Sequence, residues 1–484
     1  MKFSPLDLPI GRHAAVIVAS AWLLACAVAC PLRALDPGLP TASLEVRRLG
    51  PADGLQAGEI FAFEQTPDRF LWVGTDSGLY RYDGRAFQGL ERGRLPGGGG
   101  EAVESLALDG EGYLFVGLRR SGLMRFNGRN FLAVSRPASG DWRVTVLEER
   151  PDGLLWVAGP DQLWHLDRGG NSVKPALPGV GIRHLFTDAY GATWVAARSG
   201  LFRRIGAAFQ PVTLPFGRSA PDARALALDG QGHLWLAPAG GGLWRLSGNY
   251  ERAGLPQEIA EEKLFDGILV ERALTDRHGR LWLATAGGLY RQTAGGIEKV
   301  PAVAGACRTL FEDADGDIWV GGQGGSLWQV HARRAVRPEV QPVFARIGTA
   351  SGAEYLPASR LELAAGQRNL RLELAAPYFE PGARPRFRWK LEGADADWQE
   401  SAVGIADYPD IPAGRNLFRA QASYGPAFAG PELKLEIALP RQPWRDPLIW
   451  LAAIAGLAVI GGLVLLSLRR AAMRRHDEEE DDEP

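Results

Sequence analysis

Over most of its length the chain alternates apolar and polar residues in short runs, each cut by glycine, aspartate or serine. A period of two bounded by turn residues predicts half-buried β-strands joined by tight hairpins. Two stretches depart from the pattern: residues 14–30 and 447–468 are apolar and carry no charge. The stretch LWVGTDSGLYRYDG at 71–84 shows the alternation most clearly. Its glycines belong either to a ligand-binding loop or to one unit of a repeat.

The spacing decides for a repeat. Copies centre on Trp72, Phe115, Trp156, Trp194, Trp235, Trp282 and Trp319, separated by 43, 41, 38, 41, 47 and 37 residues. A period near 40 is that of a β-propeller with four strands per unit. Two residues after the aromatic the position is always small: Gly74, Gly117, Ala158, Ala196, Ala237, Ala284 and Gly321. Small residues there let neighbouring sheets approach. Six residues before the aromatic, five copies have aspartate (Asp109, Asp188, Asp229, Asp276, Asp313), and three before it six have glycine. A D-x-x-G segment predicts a hairpin turn in which the carboxylate caps backbone N–H groups and glycine takes a positive φ. Each copy then reaches a leucine followed by a large side chain, from Leu79-Tyr80 to Leu327-Trp328. Such a unit cannot bury both faces alone, so a closed ring is expected. The reading is all-β: one seven-bladed propeller over 42–335, with residues 43–49 supplying the outer strand of the last blade.

The apolar stretches frame this array. Lys2 and Arg12 precede the first, and small residues follow it, the layout of a secretory signal. Residues 1–36 are expected to be a signal peptide or an N-terminal anchor. Cleavage, retention and lipidation at Cys26 all remain open. The second stretch, 447–468, makes a helix of roughly 33 Å, enough for a bilayer core of about 30 Å. Trp444 and Trp450 stand at its start and Arg469, Arg470, Arg474 and Arg475 just past its end. The positive-inside rule then puts the basic-then-acidic tail 469–484 in the cytoplasm. The expected location is the bacterial inner membrane, single-pass, with a periplasmic ectodomain.

Composition narrows the chemistry. A net charge of −2 gives no electrostatic case for nucleic acid. Cys26 and Cys30 lie in the first apolar run, which leaves Cys307 alone in the body and no disulfide framework. The histidines are scattered without metal-ligand spacing, and neither a nucleophile elbow nor a phosphate loop is present. No catalytic residue, metal or cofactor is expected. DADGD at 313–317 resembles the start of a calcium loop, but position twelve is Gly324 instead of glutamate, and the segment falls where other copies turn. It is read as a turn. His476 follows the apolar helix where sensor kinases carry a phosphoacceptor, yet eight residues remain after it, so no phosphoacceptor is expected. The acidic end is read as a solvated tail or a docking stub.

After 331–334 the composition shifts. Residues 340–440 alternate over short strands, the pattern of an immunoglobulin-like β-sandwich. With both regions in view, a family resemblance becomes specific. Gln65, Leu71-Trp72-Val73-Gly74-Thr75 and Gly78-Leu79-Tyr80-Arg81-Tyr82-Asp83-Gly84 resemble the two-component regulator propeller repeat; later copies drift, with Phe115 for tryptophan and Gln162 for glycine. FRWKLEGADADWQ at 387–399, together with Tyr408, Pro412-Ala413-Gly414 and LFRAQA at 417–422, resembles the three-Y domain. Phe387, Trp389, Trp398, Tyr408 and Phe418 fall on its aromatic positions. Some of its tyrosines are replaced by Phe or Trp, which keeps bulk and loses the hydroxyl. The resemblance covers roughly 42–445. It implies a periplasmic sensor whose sandwich passes events at the propeller to the membrane helix, often within a homodimer.

Ligand contacts in propellers come mostly from loops at one end of the ring. The irregular insertions are 94–100, 136–143 and 249–265. Trp142, outside the repeat pattern, is the single named ligand candidate: either a stacking surface for an oligosaccharide or peptide, or a buried loop anchor. The leading expectation is a membrane-anchored sensor lacking its own kinase or cyclase and signalling through a separate kinase, cyclase or regulator. The alternatives are a binding or assembly module without signalling, or a periplasmic propeller enzyme.

Overall fold

The computed structural model describes residues 40–480, interrupted at 91–99, 136–141, 168–172, 213–221, 248–259, 332–339, 380–383, 441–446 and a few shorter positions. The leader 1–36, most of the insertions 94–100, 136–143 and 249–265, and the last four residues lie outside the described residues. The chain divides into two compact units, one holding the repeats and residues 377–383, the other holding the rest from residue 339.

Among the described residues, the first unit contains seven four-stranded sheets. Six are each built from consecutive strands, the first from Ile60–Gln65, Leu71–Thr75, Gly78–Tyr82 and Phe87–Gly89. In the seventh, Cys307–Glu312, Ile318–Gly322 and Leu327–His331 are completed by Glu45–Leu49, in antiparallel register from Glu45 opposite His331 to Leu49 opposite Leu327. Inner strands of successive sheets lie side by side, and Ile60–Gln65 lies beside Cys307–Glu312, which closes the series. This is the arrangement of a β-propeller.

What closes the ring is apolar burial between sheets. One hydrophobic cluster sits at each junction, and the repeat aromatic always joins the cluster shared with the next sheet. Trp72 packs with Val103 and Val116, Trp194 with Leu226 and Leu236, and Trp282 with Val320. Trp319 completes the ring against Ile60 and Val73. Trp156 and Trp235 are likewise buried, and Phe115 fully so. At about 25 cal/mol per Å², a buried indole contributes several kcal/mol, so these seven side chains are structural.

Phe379 belongs to the same closing cluster. Its carbonyl accepts from Gln329 Nε2 at 2.8 Å, and its ring packs edge-on to Trp319 at 5.4 Å. The continuous span expected for the second domain, 340–440, is therefore interrupted: Pro377, Tyr378 and Phe379 pack in the first unit.

In the second unit, two sheets form. Four strands run in the order Glu354–Tyr355, Val343–Gly348, Leu370–Ala375, Ile405–Tyr408, and five in the order Arg360–Glu362, Leu433–Leu439, Gly414–Ser423, Arg386–Leu391, Gln399–Ser401. Tyr408 and Phe344 from one sheet meet Phe418 from the other at 6.3 and 6.1 Å. Phe387 and Trp389 are buried, and Trp398 lies half-buried beneath the guanidinium groups of Arg388 and Arg419. The Tyr408 hydroxyl donates to Asp395 Oδ2 at 2.6 Å, and burial beside that carboxylate pushes its pKa up. A helix, Pro447–Glu480, follows. Within it Trp450–Arg470 has mean hydropathy 2.5 and no buried face, long and apolar enough to cross a membrane.

Candidate functional site

The turn end of the ring is built by the D-x-x-G segments. Asp188, Asp229, Asp276 and Asp313 each accept the indole N–H six residues on, at 2.8, 2.9, 2.8 and 2.8 Å. Their other oxygen caps backbone N–H groups of the turn, as at Asp313 Oδ1, which accepts from Asp315 and Asp317. The aspartate and tryptophan columns of the repeat are thus two ends of one hydrogen bond. Asp315 pairs with Arg69, and Asp317 Oδ2 accepts from Gln329. These bonds engage the carboxylates of 313–317 inside the protein, as a turn requires.

Trp142 is 5% exposed. Its ring meets Trp164 edge-on at 5.6 Å and covers Gly122, whose φ is +81° and where a Cβ would overlap the indole. No broad face is left for stacking on a sugar.

Polar groups converge instead on the centre of the ring. Six inner strands carry a β-bulge at their first turn, skipping one residue of the ladder: Phe61, Glu104, Arg183, Arg224, Glu271 and Arg308. A bulge re-aims the extra side chain, here out of the sheet junction. The skipped residue always stands eleven before the repeat aromatic, and Thr145 holds that place in the third repeat. Neighbouring sheets are then tied by ion pairs at this end. Arg143 pairs with Glu104 at 2.6 Å, Arg183 with Asp222 at 2.7 Å, Arg224 with Glu271 at 2.9 Å and Arg308 with Glu59 at 2.7 Å, while Arg119 pairs with Glu104 at 2.6 Å within the second repeat.

Two adjoining cavities of about 200 Å³ open here, sharing Arg143, Thr145 and Arg272. Further along the inner strands a cavity of about 690 Å³ is lined by the fourth, fifth and sixth sheets and by Glu148 of the third, with His184, Asp188, Asp229 and Asp276 also on its wall. Burial pushes Glu148 up to about 8 and Glu64 up to about 7, and holds His184 down to about 3, with the Arg272 charge adding to the shift of His184. His184 Nδ1 accepts from the Leu226 N–H at 3.1 Å, which fixes a neutral ring. Burial raises the Cys307 thiol to about 12, which makes it a poor nucleophile.

The repeat pattern in the sequence marks none of the bulge residues as a binding candidate. They surface only when the repeats are aligned and read eleven residues upstream of the aromatic.

No protein-family model and no curated protein matches the chain. Among solved structures, it is similar to the extracellular domain of a hybrid two component system of B. thetaiotaomicron, at 15% identity and TM-score 0.49 over 83% of this chain. A second such domain from that organism gives 14% identity and TM-score 0.39 over 79% of this chain and 68% of that one. This chain spans 60% of the length of the first. A streptogramin B lyase matches over its whole length, 61% of this chain, at 12% identity and TM-score 0.50, a likeness of fold.

Proposed function

We propose that the chain is a membrane-anchored periplasmic sensor of a bacterial two-component-type system. In this reading the first unit is a seven-bladed regulator propeller that meets the ligand. The two sheets of the second unit are an immunoglobulin-like three-Y sandwich. The helix crosses the inner membrane once, with Arg469 and Arg470 on the cytoplasmic side. Binding at the ring shifts the sandwich, and the helix passes that shift to a kinase, cyclase or regulator polypeptide.

One observation carries the reading: a closed ring of sheets, two packed sheets and a bare apolar helix follow one another in one chain. A 21-residue stretch of mean hydropathy 2.5 with none of it buried is long and apolar enough to cross a bilayer. A ring held at its junctions leaves its strand ends and central cavities available to a ligand without loss of core. The reading is non-enzymatic: the chain binds and relays, and no reaction is assigned to it.

The test is cross-linking and affinity capture of the full-length protein from membranes under varied growth conditions. A kinase, cyclase or regulator should co-purify. Recovery in the membrane fraction with no signalling polypeptide under any condition would replace the sensor with a membrane-anchored binding module.

A further inference from the structure

Among the described residues, the ion pairs at the bulge end leave three sheet junctions unbridged: first to second, third to fourth, and sixth to seventh. One of the two 200 Å³ cavities lies at the junction of the third and fourth. Its wall carries four guanidinium groups, Arg143, Arg183, Arg198 and Arg272, and no carboxylate. Two of the four are already neutralised. Arg143 is bidentate to Glu104 at 2.6 and 2.7 Å, and Arg183 bidentate to Asp222 at 2.8 and 2.7 Å. The other two have no ion pair among the described residues. Arg198 is exposed at the rim. Arg272 reaches in from the sixth sheet and donates to the Glu271 carbonyl at 3.2 Å; the Glu271 carboxylate is its opposite-charged neighbour but is paired with Arg224, and Arg308 and Arg224 are like-charged neighbours.

A guanidinium keeps its charge even when desolvated, and an unpaired one in a cleft costs stability. A protein that retains two such groups on one cavity gains when an anion fills it. The guanidinium fork matches planar and tetrahedral oxyanions. The cavity is small beside the roughly 300–1,000 Å³ of ordinary ligand pockets, which suits one charged group and not a whole oligosaccharide.

We propose that this cleft is a recognition site for an oxyanion (carboxylate, sulfate or phosphate), borne by a free small solute or by the anionic residue of a saccharide. Arg198 and Arg272 are the binding residues, and Arg143 and Arg183, locked by their carboxylates, shape the pocket. Binding stands on this geometry alone; its role as the sensor's input rests on the function proposed above.

The experiment is calorimetric titration of the full-length protein in detergent at low ionic strength. The probes are sodium glucuronate and sodium sulfate, with glucose as the uncharged control. At least one anion should bind, glucose should not, and added salt should weaken the binding. Arg198→Ala, at an exposed position, should leave the thermal transition in place and weaken the anion about tenfold, the loss of one charge-assisted hydrogen bond. Arg272→Gln should weaken it further. Binding of both anions assigns a simple oxyanion site, and binding of glucuronate alone a saccharide-borne one. The proposal is overturned if neither anion binds, if glucose binds as well, or if natively folded Arg198→Ala binds unchanged. A negative result leaves partner capture untouched, and anion binding without any partner sinks only the sensor reading.

Discussion

At the turn of four repeats, one carboxylate serves two purposes: it caps the hairpin and it accepts the buried indole of the next strand. The copies that lack the aspartate each find another acceptor. Trp72 donates to Thr66 Oγ1 at 3.0 Å and Trp156 to Thr193 Oγ1 of the following sheet at 3.0 Å. The second repeat keeps Asp109 but has Phe115, so its carboxylate only caps. This predicts unequal costs. Asp276→Ala strands the Trp282 N–H and the Arg280 guanidinium as well as the turn, about 3 kcal/mol. Asp109→Ala loses an exposed cap, about 1 kcal/mol. Urea denaturation of the two variants measures the difference, and equal midpoints would show that the indole bond is not what the aspartate is kept for. Arg69 is a related case. It stands where six copies have glycine and is forced to φ +69°, a conformation disfavoured for any residue with a Cβ. Its hold on Asp315 and on the Pro377 carbonyl compensates.

Strands and turns were the most legible level of this molecule. The aromatic column, the small residue after it and the D-x-x-G turn follow from chain geometry that every repeat must satisfy, so they recur and can be read. The strand Glu45–Leu49 was also expected, because a ring of hairpin-linked sheets needs one strand from the far end. The bulge column was not legible. Its side chains leave the packed junction, so nothing forces a shared residue type, and Phe, Glu, Thr and Arg succeed one another there. Nor could the alternation of 340–440 show that Phe379 packs in the first unit, because a single buried ring has no period. Trp142 stood out by type alone, and its burial against Gly122 and Trp164 needed the three-dimensional neighbourhood. The closing strand can be probed through Leu49, which is 2% exposed among Trp319 and Leu71. Leu49→Ala should cost about 2–4 kcal/mol, whereas Leu132→Ala, on an outer strand and 53% exposed, should stay within about 0.5 kcal/mol. Thermal unfolding followed by tryptophan fluorescence separates them. By the same reasoning Phe379→Ala, which empties part of that cluster, should cost about 3–5 kcal/mol.

For the molecule as a whole, the buried acids and His184 set opposite dependences on pH. Glu64 and Glu148 titrate near 7 and 8 when folded and near 4.5 when not. Between those values the unfolded chain binds fewer protons than the folded one, so stability falls as pH rises. His184 stays neutral when folded, and its unfolded imidazole takes a proton below about 6.5, so stability falls as pH drops from there towards 3. The two trends overlap between 4.5 and 6.5. Above 6.5 the acids act without the histidine. Stability should therefore decline from pH 6.5 to 8, and Glu148→Gln, which holds the site neutral, should remove about 2 kcal/mol of that decline. A profile unchanged by the substitution would place the titration elsewhere. The union of Glu45–Leu49 with Leu327–His331 also reaches beyond equilibrium. The ribosome makes one of these strands before the first repeat and the other at the end of the last, so the earlier must wait through synthesis of the whole array. Until they meet, the nascent protein carries an unpaired strand edge at each end and an uncovered face around Trp319, the surfaces on which chains pair with one another. The molecule is most exposed to aggregation before its last repeat exists, and a chaperone that holds its first strand during that interval would raise yield without altering final stability.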